Sequence, residues 1–313
     1  MNENIQASSQ KTVDTLSISP EKVARLDQKE LYLCLHTSMW KLMNKESRLI
    51  LLQELENRQA KLDGRRPVKV CSRVMPSHTL GVHQTSPDGR ECIFLNELYF
   101  KESKLFRNKD ESIFNVAGAV STVLHEGRHS FQHNSVDKKD TNKVSDRQLL
   151  SWAATMAGFG GKYVTPPYCS FALYAMQEIE MDARRFAHNQ IVEINRVFQS
   201  VGLRDLNFEN RISLDHTREC ELIEQIRREF SHEKLDAYER SVIEEFKKNN
   251  PDVNIKELRP FEHVRYILDH PEIKSTEMLE ILDRMAKEKL AIKDSEKLAL
   301  PHELREGLAA NRL

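Results

Sequence analysis

The sequence predicts an α+β fold that is predominantly helical, with a short antiparallel sheet and a helical C-terminal region. Three observations predict it. Apolar residues recur at three- and four-residue spacing over most of the 313 positions. Strand-like runs with turn residues between them are confined to one segment near residues 67–96. Proline and glycine then divide the rest into helix-length pieces, with breaks at Asn250-Pro251, Arg259-Pro260, His270-Pro271 and Leu300-Pro301.

Taken in order, the first 18 residues are polar and read as a flexible arm. Ser19-Pro20-Glu21 is a helix start with proline in the first turn, and Val23, Leu26, Leu31, Leu35 and Trp40 follow it. A second helix is expected from about Glu46 to Leu62, closing near Gly64. Pro67-Val68-Lys69-Val70-Cys71, Leu80-Gly81-Val82-His83 and Glu91-Cys92-Ile93-Phe94-Leu95-Asn96 read as strands, with Ser86-Pro87-Asp88-Gly89 as a turn. Helices are then expected over Ser112 to His133, around Leu149 to Trp152, and over Ser170 to Phe198. The breaker-rich stretch Gly158 to Tyr168 separates the last two. This organisation predicts one domain over 19–202 and a helical region over 203–313 that packs against it, takes part in recognition or regulates.

Composition narrows the function. With 47 basic and 48 acidic residues and a net charge of -1, nothing indicates a nucleic-acid footprint. The five cysteines (Cys34, Cys71, Cys92, Cys169, Cys220) include no C-x-x-C pair, which points away from a disulfide framework and a zinc knuckle and toward a reducing compartment. The opening residues lack the basic and apolar regions of a secretory signal, and no apolar run approaches the roughly 18 residues of a membrane helix. A cytoplasmic location follows as the expectation.

His125-Glu126-Gly127-Arg128-His129 reads His-Glu-x-x-His. Residues four apart share a helix face, so His125 and His129 can reach one metal ion. Glu126 projects about 100° away, where it can approach a water on that metal. Ser121, Thr122 and Gln132 share the histidine face and could line a cleft. Catalytic zinc usually takes three protein ligands. A third histidine at 135 would mark the metzincin pattern, but Ser135 stands there. His133 continues the four-residue spacing, yet by then the helix has risen about 12 Å from His125. Glu178 and Glu180 remain, on opposite faces of one predicted helix; Glu178 shares its face with Tyr174, Asp182 and Arg185. Pairing Glu178 as ligand with Asp182 as a carboxylate behind a histidine makes physical sense, because ligating imidazoles usually donate their other N–H to a carboxylate.

His-Glu-x-x-His followed by a helix with Glu-x-x-x-Asp resembles the gluzincin metallopeptidases. The form Glu178-x-Glu180-x-Asp182-Ala183 is particularly similar to the active-site helix of the HtpX-type peptidases, although this chain shows no membrane spans. The resemblance covers about residues 115–190. It implies a zincin-like catalytic domain, zinc held by His125, His129 and Glu178, Glu126 as the base, Asp182 behind the ligands, and a peptide or protein substrate. For the developing oxyanion the candidates are Tyr163, Tyr168, Tyr174, Arg185, His83 and His188, with Tyr174 preferred by face. An extended substrate would add to the edge of the Leu80-to-Asn96 hairpin, and Gly158 to Tyr168 would form a cleft wall or lid. Two other functions fit the same residues: a regulatory or binding module of zincin shape with little catalysis, and hydrolysis of a non-peptide amide. The C-terminal region would then serve as a partner or autoinhibitory contact.

Overall fold

Side-chain caps recur so closely near the start of the chain that the apolar run from Val23 to Trp40 becomes three short helices. The computed structural model describes residues 16–86, 88–101, 113–138, 144–157, 169–251 and 258–291. Helix α1 (Pro20–Ala24) begins with Ser19 accepting from the Lys22 amide, and α2 (Gln28–Cys34) with a reciprocal box between Asp27 and Glu30. Helix α3 (Thr37–Leu42) follows at once. The chain ahead of them is docked from residue 16 onward, correcting the end of the expected arm. Leu16 forms a bridge to Met43, and the Ile18 amide donates to Ser47 Oγ at 2.9 Å. Helix α4 (Lys45–Asp63) closes at Gly64, whose φ of 75° lies in the left-handed region that ends helices.

Strands β1 (Lys69–Arg73), β2 (Gly81–Thr85) and β3 (Glu91–Asn96) form one sheet in the order β1-β3-β2. The expected hairpin is present, with β2 antiparallel to β3. β1, however, pairs with β3 in parallel, so the sheet is mixed rather than antiparallel. Asn96 supplies a physical reason. After β1 the chain must cross the end of β3 to start β2, and the buried Asn96 amide donates to the crossing carbonyls of Met75, Pro76 and Thr79 at 3.3, 3.0 and 2.8 Å. Its two N–H bonds are thereby shared among three backbone acceptors that the sheet leaves over.

A 3-10 turn (Glu97–Phe100) leads toward α5 (Val116–Lys138), which carries the histidine motif, and α6 (Asp146–Ala157) follows. The long helix expected from Ser170 to Phe198 is broken. Gln177 adopts an extended conformation (φ -69°, ψ 150°), separating α7 (Phe171–Met176) from α8 (Glu178–Ser200). The remaining helices are α9 (Leu206–Glu229), α10 (His232–Asn249), α11 (Glu262–Asp269) and α12 (Ser275–Ala291). Pro251, Pro260 and Pro271 mark the limits of α10 and α11 as their restriction of the preceding residue requires; Leu300-Pro301 lies outside the described residues. None of the described helices is long and apolar enough to cross a membrane.

Two apolar cores flank the central pair α5 and α8. One joins α1–α4, the sheet, the first half of α5 and the second half of α8 through Ala187, Ile191, Ile194 and Phe198. The other joins α6, α7, the start of α8 and the helices from α9 to α12. The described residues beyond 203 therefore complete a core begun by the preceding helices, and Phe208 of α9 reaches into the first core. Gly127 sits where α4 crosses α5. A Cβ there would lie 2.6 Å from Glu56 Oε2 and 3.2 Å from Arg65 Nη2, a buried ion pair that leaves no room for a side chain.

Candidate metal centre

α5 presents the motif histidines to α8, and the break at Gln177 sets which residue of α8 they meet. His125 Nε2 lies 3.4 Å from Glu180 Oε2, His129 Nε2 lies 3.5 Å from Glu180 Oε1, and the two Nε2 atoms are 3.0 Å apart. Ligands about 2.1 Å from a tetrahedral ion sit roughly 3.4 Å from one another. The three separations match that edge length, and two imidazoles with one carboxylate are a donor set that zinc accepts. Among the described residues this is the group of histidine, cysteine and carboxylate side chains placed to hold a metal.

Glu178 does not join it. As the first residue of α8 it is buried on the opposite side, beside Gln148 Nε2 at 3.4 Å and His263 Nδ1 at 3.9 Å. The face shared by Glu178 and Asp182 is real, but it points toward α5, α6 and α11 rather than the histidine imidazoles. Glu180 therefore takes the position expected of Glu178. The sequence offered both carboxylates, and only the turn of α8 relative to α5 separates them.

Asp182 is likewise displaced from its expected role. It receives two hydrogen bonds from Arg128, at 2.7 and 3.0 Å, and one from Gln132 Nε2 at 2.8 Å. It reaches His129 only through Gln132. The Gln132 amide also donates to the Ile179 carbonyl at 2.8 Å, so both of its donors face acceptors and its Oε1 must accept. That oxygen lies 2.7 Å from His129 Nδ1, which places a hydrogen on Nδ1 and makes Nε2 the atom that would ligate a metal once its own proton is displaced. Gln132 was visible in the sequence only as a residue on the histidine face. Arg128, inside the motif, also packs its guanidinium 4.3 Å from the Phe131 ring and 5.1 Å from that of Phe186, tying α5 to α8.

The charges are mutually supporting. Burial opposes ionisation of Glu180, but His129 and His125 hold its carboxyl well below the usual range. Burial likewise opposes a charge on His129, yet Glu180, Glu126 and the Gln132 hydrogen bond hold it up at about 9. Without a metal, a proton on His129 thus neutralises the buried carboxylate.

Glu126 projects beside the cluster, and its Oε2 accepts the His83 amide of β2 at 2.8 Å. β2 is an edge strand, and its ladder bonds to β3 leave His83 facing outward, so the sheet edge orients this carboxylate. The His83 side chain turns elsewhere, 3.2 Å from Glu91 and stacked near His133. Tyr174 of α7 is hydrogen-bonded to Glu180; burial first, then that carboxylate's charge, raises its hydroxyl far above the ordinary range and keeps it protonated. Arg185 pairs with Asp283 at 2.7 Å and His188 with Asp215 at 3.5 Å. Tyr163, Tyr168 and the rest of the expected lid lie outside the described residues.

A cleft of about 1040 Å³ opens over these groups, lined by His125, Glu126, Tyr174 and Glu180 on one side and by Leu80 and Gly81 of the sheet edge. α9 and α12 contribute its far wall, including Leu222 and Leu279. No known protein family, curated protein or solved structure matches this chain.

Proposed function

We propose that the protein is a zinc-dependent hydrolase of peptide bonds, with His125, His129 and Glu180 as the metal ligands. The observation that carries this reading is the three ligand atoms at tetrahedral spacing with Glu126 beside them in a substrate-sized cleft. A site that only stabilised the fold would need no carboxylate held apart from the ligands at the cleft wall.

Zinc at this position would polarise the scissile carbonyl and lower the pKa of a bound water to about 7. Glu126 accepts the proton of the attacking water on the oxygen that the His83 amide leaves free, then delivers it to the departing amine. The His83 N–H keeps the carboxylate pointed across the cleft while it does so. Gln132 holds His129 in its ligating tautomer. The Tyr174 hydroxyl, protonated throughout, can swing from Glu180 to the oxyanion that forms on the carbonyl. An extended substrate lies along the Leu80-Gly81 end of β2, since the His83 amide is already committed to Glu126.

The test is zinc content together with hydrolysis of a quenched-peptide library by the wild-type chain and Glu126→Gln. One zinc per chain is expected in both, with hydrolysis reduced by about 10²–10⁴ in the variant. Zinc-free wild-type protein, or unchanged hydrolysis in Glu126→Gln, would remove the proposal.

A further inference from the structure

The cleft continues past the ligand cluster along α8 and α9, and its chemistry changes there. Arg184 follows Glu180 by one helical turn, about 6 Å along the axis, and His188 by two. Arg211 and Arg218 face them from α9 and line the same cleft.

Three acids of this stretch, Asp215, Glu219 and Asp283, are already engaged, while Glu221 lines the cleft outside any ion pair among the described residues. Asp215 lies between Arg211 at 2.8 Å and His188 at 3.5 Å. Glu219 pairs with Arg184 at 3.4 Å, and Asp283 with Arg185 at 2.7 Å. Arg218 is exposed and has no carboxylate within ion-pair distance among the described residues; Asp215 and Glu221 act on it only at longer range. Several donors also lack an acceptor. Arg184 Nη2, Arg185 Nη2 and Arg211 Nη1 are buried without a hydrogen-bond acceptor among the described residues, a costly state that a nearby anion could relieve if the forks turn.

We propose that this end of the cleft is a subsite for a carboxylate of the substrate, contacted by Arg218 with Arg184 and Arg211 supplying the field. The carboxylate is an acidic side chain or a free C-terminus close to the bond cleaved. Its identification as a substrate subsite rests on the hydrolase reading above, but carboxylate binding can be measured without hydrolysis.

The experiment uses zinc-loaded full-length Glu126→Gln protein and three labelled octapeptides of otherwise identical alanine-rich sequence. One carries two glutamates and an amidated end, the second two glutamines and an amidated end, the third two glutamines and a free carboxylate. Fluorescence anisotropy at low salt should give at least one carboxylate peptide about fivefold tighter binding than the neutral peptide, near the upper end for a single partly exposed charge pair. Which one gains identifies the carboxylate's source. Adding Arg218→Gln should bring the preference below twofold with zinc content and thermal unfolding unchanged. Equal affinity of all three, no detectable binding of any, or a preference that survives Arg218→Gln would overturn the subsite. Wild-type protein is assayed for hydrolysis of the same peptides. A preference that holds without any hydrolysis would refute the catalytic reading and leave the carboxylate site standing.

Discussion

Replacing Gln132 by leucine tests whether a hydrogen-bond relay, rather than a carboxylate contact, sets the ligating form of His129. The substitution puts an apolar side chain of broadly similar bulk in place of the amide and removes the acceptor 2.7 Å from His129 Nδ1 and the donors 2.8 Å from Ile179 O and Asp182 Oδ2. Asp182 keeps both hydrogen bonds from Arg128, so the main group left without a partner is the His129 Nδ1–H. Loss of such an outer partner weakens metal binding by about 10–100-fold, and an orphaned buried donor costs about 1–3 kcal/mol. Zinc affinity is read by competition with a chelating dye near neutral pH, and stability by denaturant melts of the metal-free protein. Gln148→Leu is the control: Gln148 is also a buried glutamine, but it contacts Glu178 rather than a histidine. It should lower stability and leave zinc affinity within about threefold. Wild-type zinc affinity in Gln132→Leu, or an equal loss in Gln148→Leu, would refute the relay.

Glu180→Ala should abolish stoichiometric zinc in metal analysis, whereas Glu178→Ala should retain it while unfolding at lower denaturant, because Glu178 is buried with Gln148 and His263; the reverse result would restore the ligand expected from the sequence. Gly127→Ala should destabilise by about 1–3 kcal/mol through overpacking, since the new Cβ would press on Glu56, which Arg65 and the Val68 amide hold in place; a melt unchanged from wild type would contradict the close approach of α4. Zinc affinity should rise by up to about tenfold per pH unit toward pH 9, because the metal must displace a proton from His129, held up at about 9. The raised value also means that this group stabilises the metal-free fold most below its unfolded value of about 6.5, and that the contribution is lost as pH rises through 9. Chelated protein should accordingly melt at a lower temperature at pH 9 than at pH 6.5, and a calorimetric scan checks it.

Local signals made much of this molecule legible. The Ser19-Pro20 start, the Gly64 terminator and the prolines after α10 mark helix ends through interactions within a few residues, whereas the Asp27 cap that divides the Val23-to-Trp40 run emerged only in the structure. The hairpin of β2 and β3 follows from two short strand-like runs on either side of turn residues. His125, Glu126 and His129 could be assigned to one site because a helix fixes their relative directions. Three things could not be read this way. The parallel pairing of β1 is accompanied by contacts between distant segments, such as Asn96 with carbonyls about twenty residues away in the chain. The choice between Glu178 and Glu180 depends on how α8 is rotated against α5, and the break at Gln177 carries no proline or glycine to announce it. Gln132, Arg128 and the cleft arginines acquire their roles from partners on other helices.

The sequence by itself determined a mostly helical chain with a small sheet and a helix bearing two histidines and a carboxylate, because those features arise from spacing along one element. Only the tertiary structure decided that Glu180 faces the histidines, that Gln132 stands between His129 and Asp182, and that α9 closes the cleft with arginines. Those are relations between elements, fixed by packing of the two cores on either side of α5 and α8, and no spacing along a single element encodes them.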